Sequence, residues 1–176
     1  LATESTTTSN IYPQTIRALK PEATIISQSC GLFVALAEEG CIDDDIAHAA
    51  AKKYLTPIIK HSVKCDCVLL GCTHFPVLTQ AISKILGKNI IVINSAKATA
   101  NAVEVRLEKL KLKNTSNLSS TRFLVTDLPE RFIRIGEIFL QESIHPDLVQ
   151  LVDPTHTNIK KLQKIDTEKD QFSASF

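Results

Sequence analysis

One segment limits the fold more than any other: Val68-Leu69-Leu70-Gly71-Cys72-Thr73-His74-Phe75-Pro76. The continuously apolar start predicts a strand buried on both faces, as in a parallel sheet. Gly71 lets the backbone turn or approach a neighbour closely. Pro76 suits the first turn of a helix, where its missing N–H costs nothing. A strand running through a short loop into a helix is the unit of an α/β domain. In open parallel sheets, ligands bind at the carboxyl ends of the strands. Cys72, Thr73 and His74 therefore occupy a functional position in such a fold.

The rest of the chain repeats the alternation. Ser9 or Asn10 caps a helix from near Tyr12 to Leu19, with Pro13 in its first turn. The polar run Leu1 to Asn10 reads as a loop. Ala23 to Ser29, with Ile25-Ile26, reads as a short strand. Phe33 to Glu39 reads as a helix stopped at Gly40. Asp43-Asp44-Asp45 suits a helix N-terminus; that helix runs through Ile58, with a kink expected at Pro57. After Pro76, Leu78, Ile82, Ile85 and Leu86 fall at helical spacing up to Gly87. Asn89 to Asn94 is a second apolar strand, followed by a helix over Ala96 to Leu112 with Ser95 as its cap. Lys113 to Thr121 is a polar linker. Arg122 to Thr126 reads as a strand, and Asp127 caps a helix that runs to about Gln141. Thr155 to Phe176 lacks apolar periodicity and is expected to be weakly ordered. Alternating strands and helices indicate α/β class with a mostly parallel sheet.

Charge excludes some partners. Lys and Arg number 20 against 19 Asp and Glu, for a net charge of +1. That balance makes no case for nucleic acid or an anionic membrane surface. No run approaches the roughly 18 apolar residues that mark a spanning helix. Five cysteines in 176 residues are too sparse and too odd in number for a secreted disulfide scaffold. A reducing compartment, the cytoplasm, is the expectation. Cys65-Asp66-Cys67 lacks the spacing and second pair of a zinc knuckle, and Cys67 is expected to turn inward along the strand. The chain opens on Leu1 in a Thr/Ser-rich run, which suggests a removed N-terminus or a fragment.

Cys72 near a helix N-terminus sits where exposed amides and the helix dipole favour a thiolate. His74, two residues on, is a natural proton partner or charge neighbour. The pair suits nucleophilic catalysis, thiolate general-base chemistry or metal binding. A cysteine at a strand end is also often a small buried hydrophobe. Residue chemistry alone leaves these alternatives open.

Leu70-Gly71-Cys72-Thr73-His74-Phe75-Pro76-Val77-Leu78 closely resembles the second-cysteine motif of bacterial glutamate racemases. Ala2-Thr3 and Thr6-Thr7-Thr8-Ser9, followed by Tyr12, resemble the family's Gly-Thr, Thr-Val, Ser and Tyr pattern. Ser29-Cys30-Gly31-Leu32-Phe33-Val34, with Glu38, resembles its Cys-Pro-x-Phe-Val-Pro segment and following glutamate. Asn94-Ser95-Ala96 resembles an Asp-Ser-Ala that begins the return to the first domain. Thr126 to Phe132, with Gly136-Glu137 and Phe139-Leu140, resembles the C-terminal helix. The resemblance covers about Leu1 to Asp153.

The resemblance implies inversion of the α-carbon of L-glutamate or D-glutamate without cofactor or metal, in support of peptidoglycan synthesis. One thiolate removes the α-proton and a thiol on the other face returns one. Cys72 corresponds to the cysteine that deprotonates the L-enantiomer, and His74 to its assistant. Glu38, otherwise a solvated helix carboxylate, corresponds to the family glutamate near that histidine; its neighbour Glu39 fits less well. Thr73 and Thr6 correspond to substrate contacts, though Thr6 also suits a loop or cap. Cys30 corresponds to a structural cysteine. A homodimer is the assembly that the family suggests.

The family's first-cysteine motif and the strand ending in Asp-Ser have no counterpart in these residues. The expected organisation is therefore a second α/β domain over 1–94, the C-terminal part of a pseudo-symmetric first α/β domain over 95–153, and a tail over 154–176. Racemisation by these residues alone is not expected. Gly31 and Ala35 stand where proline is usual, and Asn94 where aspartate is usual. Two other readings stay open: a related acidic amino-acid racemase, and a non-catalytic α/β remnant or binding module. His74 disfavours the aspartate racemases, which tend to carry glutamate after the Cys-Thr pair.

Overall fold

The computed structural model describes residues 1–60, 65–116 and 119–154. They fall into two compact units, Leu1–Ser116 and Asn117–Phe176. The Thr155 to Phe176 tail lies outside the described residues.

The first unit is built on strands β1 (Cys67–Leu70) and β2 (Ile91–Asn94). They pair in parallel, with Cys67 opposite Ile91 and Leu70 opposite Asn94. The α/β class is therefore as expected. A parallel pair needs a long crossover, supplied by a 3-10 turn over Phe75–Leu78 and α5 (Thr79–Leu86). Four more helices precede β1: α1 (Glu4–Thr8), α2 (Ile11–Leu19), α3 (Leu32–Glu39) and α4 (Asp45–Ile59). Helix α6 (Ser95–Lys109) follows β2 and groups with this unit.

Local signals explain most helix ends. Gly40 closes α3 at φ 79°, a left-handed conformation that costs glycine little. Cys41 N–H then donates back to Leu36 C=O at 2.9 Å. Asp44 caps α4 by accepting from Ala47 N–H at 2.8 Å, which holds its carboxyl below the usual range. Pro57 falls in the last turn of α4, and the helix ends two residues later. It removes the N–H that would serve Lys53 C=O, and only two helical residues follow it.

Several sequence expectations differ from the structure. Leu1 to Asn10 contains a helical turn, α1, where Thr7 Oγ1 donates to Glu4 C=O at 2.9 Å. The cap of α6 is Asn94 rather than Ser95: its side chain accepts from Ala96 and Lys97 N–H. Asp127 does not cap the helix after it; Leu128 takes the position before Pro129 at φ 38°. Cys67 is exposed, because it opens β1 at the end where the core has not yet begun. Ala23 to Ser29 forms no strand, only a single bridge between Ser29 and Ala2. A strand needs a paired neighbour, and only its last residue has one.

The core of the first unit lies between α3, α4, α5 and β1. Phe33, Phe75, Leu55, Leu70, Leu78, Ile82 and Cys30 are fully buried. Phe33 meets Tyr54 and Phe75 edge-on, with centroids 5.2 and 5.3 Å apart. Burial pushes the Cys30 thiol up to about 12, which makes it a poor nucleophile. On the surface, Lys84 of α5 donates to both Asp43 oxygens at 2.8 Å, and His48 of α4 reaches Asp43 at 2.8 Å. The lysine and histidine hold the Asp43 carboxyl below its ordinary value.

In the second unit, β3 (Phe123–Val125) and β4 (Val149–Leu151) pair in parallel across α7 (Pro129–Leu140). The Phe123 and Phe132 rings meet at a 52° tilt with centroids 5.3 Å apart, and Ile144 is buried. A Cβ on Gly136 would lie 2.7 Å from Ile144 Cδ1, so the end of the Ile144 side chain packs close against the helix backbone there.

Candidate active site

The carboxyl end of β1 delivers the candidate residues. Gly71 N–H donates to Leu1 C=O at 2.8 Å, and the Tyr12 ring lies against it. A Cβ at Gly71 would stand 2.8 Å from Tyr12 Cε2 and 3.2 Å from Leu1 C=O. The ring is held by α2 and the carbonyl by a backbone bond, so neither yields freely. Gly71→Ala is expected to cost about 1–3 kcal/mol by overpacking. Urea unfolding of the variant checks this; an unchanged midpoint would mean the strand end has slack.

Beyond Gly71 the chain tightens, with Phe75 N–H donating to Cys72 C=O at 3.3 Å. Cys72 is a free, half-buried thiol at the edge of the core. Thr73 is exposed. His74 Nε2 lies 2.7 Å from Glu38 Oε1, across 36 positions in sequence. Their side chains are 27% and 24% exposed, so the contact is sheltered without being sealed from water. A carboxylate only accepts, so Nε2–H donates and the remaining ring nitrogen is Nδ1. Thr73 Oγ1 lies 3.5 Å from Nδ1, too long for a strong bond.

Both halves of this contact are braced from the core. Glu38 sits at the end of α3, whose Phe33 packs on Phe75 immediately after His74. Tyr54 of α4 accepts from Leu32 N–H at 3.2 Å and so anchors the start of α3. Ser95 Oγ donates to Leu70 C=O at 2.9 Å, which fixes the last residue of β1. Sequence reasoning placed Tyr12 in the family pattern without giving it a task, and it passed over Tyr54 and the second role of Ser95. Only the aromatic type of the two tyrosines could have marked them.

The structure thus brings His74 and Glu38 together directly and sets Thr73 and Cys72 on the same turn. Thr6 Oγ1 lies 3.0 Å from Thr3 Oγ1, and Thr6 lines a cavity of about 540 Å³. Glu39 is exposed and leaves the histidine to Glu38. Among the described residues, no group of three His, Cys, Asp or Glu could hold a metal ion, and no helix is long and apolar enough to cross a membrane. A half-buried thiol two residues before a histidine of set tautomer suits proton transfer at carbon or nucleophilic attack.

No protein-family model matches the chain. Individual proteins do. A glutamate racemase of Syntrophus aciditrophicus is 39% identical over 145 residues, which are 82% of this chain and 53% of that protein. The crystal structure of glutamate racemase from Francisella tularensis in complex with D-glutamate matches with TM-score 0.74 at 33% identity, over 84% of this chain and 54% of that one. A glutamate racemase of Bacillus anthracis matches with TM-score 0.77 at 28% identity, over 87% and 56%. The chain spans about half the length of these relatives. Agreement in sequence and fold across more than four-fifths of its residues shows that the chain belongs to the glutamate racemase family.

Proposed function

We propose that this chain supplies one face of a two-base glutamate racemase site. The Cys72 thiolate removes the α-proton of L-glutamate. The electron pair left on Cα delocalises into the carboxylate, and a thiol on the opposite face, outside the residues present here, returns a proton to give D-glutamate. The reverse direction uses the same two groups with roles exchanged. Racemisation requires acid and base on opposite faces of a planar carbon, and no cofactor takes part in either transfer. His74 assists Cys72, while Glu38 orients the His74 ring. Thr73 and Thr6 contact the substrate. Residues 1–94 form one α/β domain of the complete enzyme and 95–153 belong to the other. The enzyme works in the cytoplasm as a homodimer and feeds peptidoglycan synthesis. These residues alone do not racemise glutamate.

The observation that carries this reading is the 2.7 Å contact between His74 and Glu38, set two residues after a half-buried free cysteine at a strand end. It gives the thiol a neighbour of defined orientation, as proton transfer requires. The test is made in a racemase-length protein that joins this chain to a first-cysteine region. His74→Ala is expected to slow α-proton loss from L-glutamate by about 10²-fold or more. Glu38→Gln should slow it less, because the amide oxygen still accepts Nε2–H. Unchanged loss of the L-glutamate α-proton in His74→Ala would remove histidine from the mechanism.

A further inference from the structure

The last peptide group before Gly71 is held from both sides. Ile91 N–H donates to Asp66 C=O at 3.0 Å. From there β1 and β2 run parallel until Leu70 stands opposite Asn94. A parallel ladder repeats every two residues. Asp66, Val68 and Leu70 therefore turn their carbonyls toward Ile91, Ile93 and Ser95 in order. At Ser95 the strand has ended and α6 begins. There a side chain serves the carbonyl: Ser95 Oγ donates to Leu70 C=O at 2.9 Å. Leu70 C=O and Gly71 N–H belong to one planar peptide group. Its N–H donates to Leu1 C=O at 2.8 Å. Ser95 and Leu1 thus fix the two ends of the same plane.

Ser95 is itself firmly placed. It is the first residue of α6, and Asn94 sets that turn by accepting from Ala96 and Lys97 N–H at 2.9 and 3.2 Å. Ser95 is half-buried, so water is partly screened from its hydroxyl. Only Gly71 separates the held peptide from Cys72. Glycine rotates more freely than other residues and imposes little direction of its own. The aim of Cys72 therefore depends on the peptide that precedes Gly71. A reacting group misplaced by about 1 Å can lose about 10²-fold in rate.

We propose that Ser95 is a positioning residue for Cys72: its hydroxyl fixes the Leu70–Gly71 peptide and so aims the thiol at the α-carbon of L-glutamate. Ser95 acts through the backbone and carries no proton in the reaction. The inference rests on the racemase reading, which gives Cys72 the L-glutamate face. That reading supplies a signature. Cys72 removes the α-proton in one direction and returns a proton in the other, and the opposite thiol does the reverse. Misaiming Cys72 slows its own transfers and spares those of the opposite thiol.

Ser95→Ala in the racemase-length protein tests this, with ordinary and α-deuterated forms of each enantiomer as substrates. The kcat is expected to fall about 10- to 100-fold, while KM for L-glutamate changes much less. The primary isotope effect with L-glutamate should rise, because proton removal by Cys72 becomes the slow transfer. The effect with D-glutamate should fall, because its α-proton leaves to the opposite thiol before the slow transfer. A fold that is merely loosened slows both transfers and leaves both isotope effects where they were. Ser95→Thr keeps the donor and should recover most of the rate together with the parent isotope effects. Unchanged kcat in Ser95→Ala, a lower kcat with both isotope effects unmoved, or no recovery in Ser95→Thr would overturn the proposal. Cys72→Ser is the control for the underlying reading. Loss of the L-glutamate α-proton at the parent rate in that variant would remove Cys72 as the base, and this role of Ser95 with it.

Discussion

Phe33→Ala is expected to cost the first unit about 3–5 kcal/mol, a large part of the roughly 5–15 kcal/mol by which a domain is usually stable. Phe33 is fully buried and holds Tyr54 on one side and Phe75 on the other, both edge-on. Removing the ring leaves a cavity that three elements share: α3, α4 and the turn after His74. None of them can move inward alone without breaking the other two contacts. The loss reaches the site as well, because α3 carries Glu38 and Phe75 follows His74. Urea unfolding measures the stability change. The NMR signal of the His74 Nε2–H in the surviving folded fraction reports whether its hydrogen bond to Glu38 persists. Phe33→Leu keeps most of the volume, so it should lose less stability and retain the contact. Equal losses in both variants would mean that ring geometry, rather than filled volume, is what the core requires.

Cys72→Ser should have the largest effect on chemistry. A serine hydroxyl is far less acidic than a thiol, so no anion forms at neutral pH to accept a carbon-bound proton. The side chain stays nearly the same size, and Cys72 is only half-buried, so folding is spared. In a racemase-length protein the racemisation rate is expected to fall by at least about 10²–10⁴-fold, the usual contribution of one positioned acid–base group. Cys30→Ser offers a contrast. That thiol is buried and pushed up to about 12, so its loss should act on stability and leave the proton transfer to Cys72 intact.

Local signals carried much of the fold, and pairings between distant segments carried the rest. The apolar run Val68 to Leu70 announced β1, the run Asp43-Asp44-Asp45 announced the start of α4, and Gly40 announced the end of α3. Each is decided within a few residues. Ala23 to Ser29 has the composition of a strand, yet its ladder depends on a neighbour, and only Ala2 supplies one. Val149–Leu151 is three residues long, too short for any periodicity to show, and pairs with β3 only after α7 has returned the chain. Asn94 and Ser95 are both good caps by type. The backbone chose Asn94, and Ser95 instead bonds Leu70 C=O. At the site, chemistry suggested Cys72 with His74, but only the family resemblance pointed from His74 to Glu38. Thirty-six positions separate them, and no spacing rule spans that distance.

Deuterium incorporation at Cα of L-glutamate tests the central claim most directly. The protein is a racemase-length chain that carries these residues and a first cysteine, with Cys72→Ser as its only change. The assay is run in deuterated water with each enantiomer separately and read by mass spectrometry before racemisation accumulates. The account predicts that L-glutamate keeps its α-proton in the variant and loses it in the parent protein. Incorporation into L-glutamate at the parent rate would contradict the role of Cys72 as the base on that face.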